Sequence, residues 1–92
     1  MTAIALILYE KPGCHLCAEV RMKLGYLEGM GLAIALEGRN ILDNAAWFAA
    51  YQYRIPVLCW VDRGAEIELP RLSPRATIAD YAMLLARVWD TP

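Results

Sequence analysis

The sequence lacks several features that would assign the protein to a broad class. It has nine Lys and Arg against ten Asp and Glu, a formal net charge of −1, and its basic residues are scattered. This pattern predicts no nucleic-acid partner, because such a partner needs a basic patch. The apolar run at residues 3–8 is far shorter than the roughly 20 residues of a membrane-spanning helix, and no basic segment precedes it. We therefore expect a cytoplasmic protein with no membrane partner.

Cysteine is also scarce, with three residues in 92. In a reducing compartment, a close pair of cysteines is more often catalytic or metal-binding than structural. The chain contains no internal repeat, low-complexity tract or linker, so we predict a single domain over residues 1–92. Apolar residues make up 59% of the chain, above the roughly 45–50% that is typical, and we expect a monomer or a weak dimer.

Hydrophobic periodicity in the first half of the chain predicts a strand, a helix and a strand. Residues 3–9 are apolar on both faces of a strand, as in a strand inside a sheet that is covered on both sides. From Cys17 the apolar residues recur every three or four positions, which predicts an amphipathic helix that ends at Gly29 or Gly31. Residues 32–36 then predict a second strand, parallel to the first.

The second half begins with a short helix that either Asp43 or Asn44 can cap and that runs to about Tyr51. Residues 57–61 predict a third strand, and the alternation at residues 66–69 predicts its antiparallel partner at the edge of the sheet. These elements are expected to place the first strand at the centre of a mixed sheet.

A C-terminal helix is predicted from apolar residues at helical spacing, starting after Ser73-Pro74 or at Thr77. The predicted fold is therefore α/β, in the order β-α-β-α-β-β-α, with a four-stranded mixed sheet and helices on both faces. The aromatic cluster in the second helix is interpreted as core, with an exposed docking surface as the alternative; it consists of Trp47, Phe48 and Tyr51.

Two cysteines, Cys14 and Cys17, lie three residues apart where the first strand gives way to the first helix. Side chains at this spacing reach the separation of a disulfide after modest adjustment. The free N–H groups and the dipole at a helix N-terminus favour a thiolate at Cys14, and Lys11 adds a cation if its side chain turns back. Cys17 lies on the apolar stripe and is expected to be buried and harder to ionise. We predict that Cys14 attacks a substrate disulfide and that Cys17 resolves the mixed disulfide.

Two other interpretations of the cysteine pair stay open. A closed zinc site needs four ligands, and beyond the pair the chain offers His15 in the same turn and Cys59 on another strand. The pair can also be two core cysteines with no chemistry. Cys59 itself is interpreted as a small, packed apolar residue.

The segment YEKPGCHLC at residues 9–17, taken with RIPVL at residues 54–58, resembles the thioredoxin superfamily and in particular its small glutaredoxin-like proteins. The resemblance implies a thioredoxin-like fold and a cis peptide bond before Pro56. It also implies that a substrate segment pairs with the backbone of Ile55, so Ile55 and Pro56 are predicted substrate-binding positions. An ordinary trans proline at an edge strand is the alternative. Lys11 matches the lysine with which glutaredoxins bind glutathione.

The sequence departs from the glutaredoxin pattern in two places. Glutaredoxins usually carry a Gly-Gly and a nearby Asp that hold glutathione, whereas residues 69–74 here read LPRLSP. The cysteines flank His15-Leu16 instead of the glutaredoxin Pro-Tyr or the thioredoxin Gly-Pro. His15 is predicted to tune the potential of the pair when it is a cation, and a solvated residue without effect is the alternative.

The sequence therefore predicts a thiol–disulfide oxidoreductase with no bound cofactor and no metal, which contributes to cell redox homeostasis. Its expected partners are a disulfide-bearing protein or a glutathione mixed disulfide, together with glutathione or a thioredoxin-type reductase system as electron donor. Two alternatives remain. One is a non-enzymatic binding module with an apolar rim around Pro56, and the other is metal or iron–sulfur binding through the CxxC motif.

Overall fold

The structure is a computed structural model that describes residues 3–89. Within these residues the elements follow in the order β1 (Ile4–Glu10), α1 (His15–Gly29), β2 (Ile34–Asn40), a short 3₁₀ helix (Ile41–Asp43), α2 (Ala45–Tyr51), β3 (Val57–Asp62), β4 (Ala65–Glu68) and α3 (Ile78–Trp89). None of these helices is long and apolar enough to span a membrane. The predicted order of strands and helices is confirmed.

The four strands form one sheet in the order β2-β1-β3-β4. β1 pairs in parallel with β2 and antiparallel with β3, and β4 pairs antiparallel with β3 at the edge. The mixed sheet with β1 at its centre agrees with the prediction. β1 therefore has a paired strand on each side. Its carboxyl end leads directly into the segment that carries Cys14.

Helices cover both faces of the sheet, which explains why β1 is apolar throughout. Leu6 and Leu8 point to the face where α1 and α3 pack against each other, and they are 1% and 0% exposed. Ile7 and Tyr9 point to the opposite face, into a smaller core with residues of α2. Because successive side chains of a strand alternate between faces, two covered faces require an unbroken apolar run.

β2 extends further than predicted, to residue 40 rather than residue 36. Each of its seven residues pairs with a residue of β1, up to Glu10 opposite Asn40. An edge strand tolerates polar side chains, so backbone pairing with β1 decides where β2 ends. The prediction from apolar residues alone was too short for that reason. β4 starts at Ala65, because the hairpin turn uses only Arg63 and Gly64, both with positive φ (53° and 84°), as a two-residue turn requires.

Asn44 is the cap of α2 among the two predicted candidates. Its Oδ1 accepts hydrogen bonds from the backbone N–H groups of Ala46 and Trp47 at 2.9 and 3.1 Å. Trp47 and Tyr51 pack against the smaller core, whereas Phe48 is 39% exposed. The core interpretation is therefore right for two of the three aromatic residues, because a single short helix turns Phe48 away from the sheet.

α3 begins at Ile78, the later of the two predicted starts. Thr77 Oγ1 accepts a hydrogen bond from the backbone N–H of Asp80 at 3.1 Å, and Asp80 Oδ2 accepts one from the N–H of Thr77 at 2.8 Å. This reciprocal pair is a capping box. Ser73 instead closes a turn, since its carbonyl accepts from the Ala76 N–H at 2.9 Å.

Candidate active site at the Cys14–Cys17 pair

A tight turn between β1 and α1 places Cys14 at the start of the helix. β1 ends at Glu10, and the N–H of Cys14 donates to the carbonyl of Lys11 at 3.3 Å. Gly13 has φ +78°, a conformation that favours glycine. α1 starts at His15, with Cys14 as its N-cap residue. The turn therefore presents the Cys14 sulfur at the N-terminal end of the helix.

The two cysteines form a disulfide, with a Cα–Cα distance of 5.3 Å. The backbone N–H of Cys17 donates to Sγ of Cys14 at 3.2 Å. Cys14 is partly exposed, whereas Cys17 is 1% exposed and lies on the stripe of α1 that packs on the sheet. The two sulfurs thus occupy unequal environments, one at the surface beside a hydrogen-bond donor and the other in the core.

The loop before β3 lies beside this turn. The peptide bond between Ile55 and Pro56 is cis, and Val57 follows as the first residue of β3. A groove of about 270 Å³ is lined by both Pro56 and Leu16, the residue that precedes Cys17. The structure therefore brings the CxxC turn and the proline loop together along one groove. Two of the predicted site residues do not line this groove: Lys11, which is exposed, and Ile55, which is half-buried.

Comparison with known proteins agrees with this geometry. Residues 5–84 match the family model described as "Glutaredoxin-like domain (DUF836)". The chain belongs to this glutaredoxin-like family. The resemblance that the CxxC and proline motifs carry is confirmed, and so is the α/β fold that it implies. None of the curated protein sequences compared with the chain matches it significantly.

Solved structures share the fold of this glutaredoxin-like protein. Thioredoxin 1 from the thermophilic eubacterium Thermosipho africanus TCF52B superposes with a TM-score of 0.64 at 15% sequence identity, over 95% of this chain and 96% of that chain. A malarial protein gives a TM-score of 0.65 at 14% identity, over 94% and 97%. Protein XcR50 from X. campestris is 33% identical, with a TM-score of 0.58, over 95% of this chain and 99% of that chain. The first two show a common fold, and the third adds sequence similarity over nearly the whole chain.

The glutaredoxin-like protein builds the far side of its groove from residues 69–74, where glutaredoxins usually have Gly-Gly. Here Arg71 donates through Nη1 to the backbone carbonyl of Arg54, in the proline loop. The Arg54 guanidinium in turn donates to the carboxylate of Glu68 on β4. The groove therefore forms without the two glycines. Hydrogen bonds of Arg54 and Arg71 connect the segment before Pro56 to Glu68 and to residues 69–74.

Sequence reasoning missed several of the residues that shape this groove. Nothing in the local pattern marks Tyr53, whose side chain lines the groove and which is 92% exposed. The only signal for Arg71 is its position in the segment that replaces Gly-Gly. Its contact with Arg54 spans 17 residues of sequence, so periodicity within one element does not reveal it.

His15 stands next to Cys14 with its side chain 85% exposed. Its Nε2 lies 3.3 Å from Oε1 of Glu19, one turn further along α1. A protonated His15 would therefore form an ion pair with Glu19. The tuning role of His15 stays a prediction.

Cys59 lies away from the pair, in the core between the sheet and α2. It is 2% exposed, and burial raises the pKa of its thiol to about 11. It is a small packed residue, as interpreted from the sequence. Within residues 3–89, no group of three or more His, Cys, Asp or Glu side chains is placed to hold a metal ion.

Proposed function

We propose that this protein is a thiol–disulfide oxidoreductase in which Cys14 is the nucleophile and Cys17 the resolving thiol. The observation that supports this function is the inequality of the two sulfurs. Cys14 is partly exposed at a helix N-cap and its Sγ accepts a hydrogen bond from the Cys17 N–H at 3.2 Å, while Cys17 is buried. A donor N–H and the positive end of a helix stabilise a thiolate more than a thiol, so Cys14 ionises first after reduction.

The reaction consists of two exchanges at sulfur. The Cys14 thiolate attacks one sulfur of the substrate disulfide, the substrate S–S bond breaks, and one substrate thiolate leaves and takes a proton from water. The Cys17 thiol then loses its proton to water and attacks Sγ of Cys14. This step releases the second substrate thiol and leaves the Cys14–Cys17 disulfide, so two electrons pass from the protein to the substrate.

The proline loop and the groove supply substrate binding in this proposal. The backbone of Ile55 pairs with an extended substrate segment, and Pro56 contacts it at the edge of the groove. Lys11 lies in the turn that carries Cys14 and attracts an anionic substrate such as a glutathione mixed disulfide. The protein needs no bound cofactor, since glutathione or a reductase restores the dithiol.

The test is a single-turnover reaction of the reduced protein with a small neutral disulfide, followed by release of thiol. We expect Cys14→Ser to abolish release, and Cys17→Ser to stop at a mixed disulfide on Cys14 that mass spectrometry detects. Cys59→Ala is the matched control and should react like the unsubstituted protein, because Cys59 is buried in the other core. Full turnover in Cys14→Ser would disprove the assigned nucleophile.

The physiological electron donor is a separate question with its own measurement. Turnover of the same disulfide is compared with glutathione plus its reductase and with thioredoxin reductase. Activity with glutathione would support a glutathione pocket despite the segment LPRLSP at residues 69–74. Activity with thioredoxin reductase alone would favour protein disulfides as substrates.

A second candidate function is a non-enzymatic binding module. The exposed apolar rim favours it, since Tyr53 is 92% and Leu16 37% exposed beside the groove. A binding module would hold a partner at this rim without using its cysteines as catalysts. The reduced protein would then exchange with disulfides no faster than free cysteine at the same pH, whereas the enzyme exchanges faster.

A further inference from the structure

The far end of the groove carries a cluster of positive charge that the exchange reaction itself does not use. Lys23 of α1, Arg71 of the β4–α3 connection and Tyr81 of α3 all line the groove. The ammonium of Lys23 lies 5.8 Å from the centroid of the Tyr81 ring. Tyr81 is 7% exposed; burial raises its pKa, the charge of Arg71 acts to lower it, and the charge of Glu19 acts to raise it. Lys23 therefore lies over the Tyr81 ring, and Arg71 lines the same groove.

Of the two carboxylates of the groove, Glu68 has a cationic partner, and Glu19 lies beside a histidine that is cationic only when it is protonated. Glu68 accepts a hydrogen bond from Arg54, and Glu19 lies 3.3 Å from His15. Within residues 3–89, the ion pairs include neither Lys23 nor Arg71. Arg71 uses Nη1 on a neutral carbonyl, which leaves its positive charge and further N–H donors for a ligand. Among its charged lining residues, three are cationic and two are acidic, so the charge of the groove favours a carboxylate.

The distance from Cys14 decides what kind of molecule can place a carboxylate there. Lys23 lies nine residues after Cys14, the N-cap of its helix, which corresponds to about 13 Å along the helix axis. An extended peptide advances about 3.3–3.6 Å per residue. A carboxylate that reaches the cluster therefore belongs to a residue three or four positions from the cysteine that Cys14 attacks.

We propose that Lys23, Arg71 and Tyr81 form a carboxylate-binding subsite that selects protein substrates with Asp or Glu three or four residues from the reacting cysteine. The inference rests on the proposed oxidoreductase function and names its substrate class. In the first exchange, the peptide sulfur bonds to Cys14 while its acidic side chain occupies the subsite. Leu16 and Val20 form the apolar wall between these two points.

Glutathione does not meet this distance requirement. Both of its carboxylates belong to the residues bonded directly to its cysteine. A peptide with a more distant carboxylate spans the groove from Cys14 to Tyr81, whereas glutathione ends short of the cluster. The subsite is therefore assigned to protein segments.

The test uses short peptides whose single cysteine carries a neutral 2-thiopyridyl leaving group. One peptide has Glu at the third and fourth positions on both sides of the cysteine, a second has Lys there, and a third has Gln. The rate constant for release of the leaving group by reduced protein is measured at low and at high ionic strength. We expect the Glu peptide to react about two- to fivefold faster than the Gln peptide for each cation engaged, and the Lys peptide to react more slowly than both. High salt should reduce the differences.

Two substitutions identify the groups that are responsible. Lys23→Gln and Arg71→Gln should each lower the ratio of the Glu-peptide rate to the Lys-peptide rate by about two- to fivefold. Arg75→Gln, which removes an exposed cation outside the groove, should leave that ratio unchanged. Thermal unfolding of each variant shows that the fold is retained, and the comparison of peptides on the unsubstituted protein needs no variant.

The outcomes separate this inference from the function on which it rests. Equal rates for the Glu, Gln and Lys peptides would overturn the subsite while leaving the oxidoreductase intact. A glutathione 2-thiopyridyl disulfide that outpaces the Glu peptide and loses this advantage in Lys23→Gln and Arg71→Gln would overturn the assignment to protein segments. Failure of reduced protein to react with the 2-thiopyridyl disulfide of 2-mercaptoethanol would instead overturn the proposed function.

Discussion

The two faces of the sheet carry sulfur in opposite settings. On the face covered by α1 and α3, Cys14 is partly exposed at a helix N-terminus, and Cys17 is buried on the packed stripe of the same helix. On the face covered by α2, Cys59 is enclosed by side chains of β1 and β3, and burial raises the pKa of its thiol to about 11. The same functional group is therefore partly exposed at a helix end on one face and enclosed in an apolar core on the other. Position relative to a helix end and to solvent makes the difference.

The polar groups of the two faces also differ in whether they pair with one another. On the α2 face, the Tyr9 hydroxyl donates to Glu66 at 2.5 Å and accepts from Arg39 at 2.9 Å, and the Arg39 guanidinium lies 5.1 Å from the Trp47 ring. These groups satisfy one another and stabilise the packing of α2. On the groove side, Lys23 and Arg71 take part in none of the ion pairs within residues 3–89. The charged groups of the α2 face thus pair with one another, while these two cations do not pair with a carboxylate in the described part of the chain.

The largest expected effect is on thiol reactivity. In the reduced, folded protein at neutral pH, iodoacetamide should alkylate Cys14 at least about a thousandfold faster than Cys59, because only a thiolate reacts and the buried thiol with its raised pKa is almost entirely protonated. Mass spectrometry of the proteolytic peptides measures both rates. Comparable labelling of the two residues would remove the distinction between the faces.

Serine substitutions should affect stability in the opposite order, with a larger loss at Cys59 than at Cys14. Cys59→Ser buries a hydroxyl in an apolar core and is expected to lower the free energy of unfolding by roughly 1–3 kcal/mol. Cys14→Ser should cost little relative to the reduced protein, because serine is a good helix N-cap. Urea unfolding under reducing conditions measures both values. A larger loss in Cys14→Ser than in Cys59→Ser would contradict this expectation.

Tyr9→Phe tests whether the hydrogen bonds of Tyr9 with Glu66 and Arg39 stabilise the α2 face. The substitution removes the hydroxyl that hydrogen-bonds to Glu66 and Arg39, and it should lower the free energy of unfolding by about 1–2 kcal/mol. Burial and the hydrogen bond to Glu66 raise the pKa of Tyr9 from 10.0 to about 12, so the fold favours the neutral phenol. Its contribution is complete below pH 10 and is lost as the pH rises through 12.

The difference in stability between the unsubstituted protein and Tyr9→Phe should therefore shrink between pH 10 and pH 12. Other titrating groups are common to both proteins and cancel in this difference. Urea unfolding at several pH values provides the measurement. A difference that stays constant over this window would show that Tyr9 ionises equally in the folded and unfolded states.

The smallest expected effect concerns the surface pair next to Cys14. Glu19→Gln removes the carboxylate that lies 3.3 Å from His15, which leaves more positive charge beside the Cys14 sulfur. The alkylation rate of Cys14 at mildly acidic pH should rise by about twofold or less, since the pair is exposed to solvent and salt screens it. Glu28→Gln, the same charge change near the other end of α1, is the control. An equal rise in both variants would mean that His15 has no specific role.

Much of the fold could be predicted because its determinants are local. The apolar run in β1 indicated a strand covered on both faces, and the spacing from Cys17 onward indicated the buried stripe of α1. Capping residues bounded α2 and α3 to within the two alternatives considered. β2 was predicted too short, since its polar residues 37–40 pair with β1 through the backbone and carry no apolar signal.

The sequence by itself determined the element order, the central strand and the unequal positions of Cys14 and Cys17, because each depends on residues only a few positions apart. Only the tertiary structure decided that Arg71 contacts the Arg54 carbonyl and that Lys23 meets Tyr81 across the groove. These contacts join separate elements, and an exposed Lys or Arg has the same local pattern whether it faces water or a neighbouring helix. The unequal placement of the two sulfurs was therefore predictable from the chain, while the groove beside them was not.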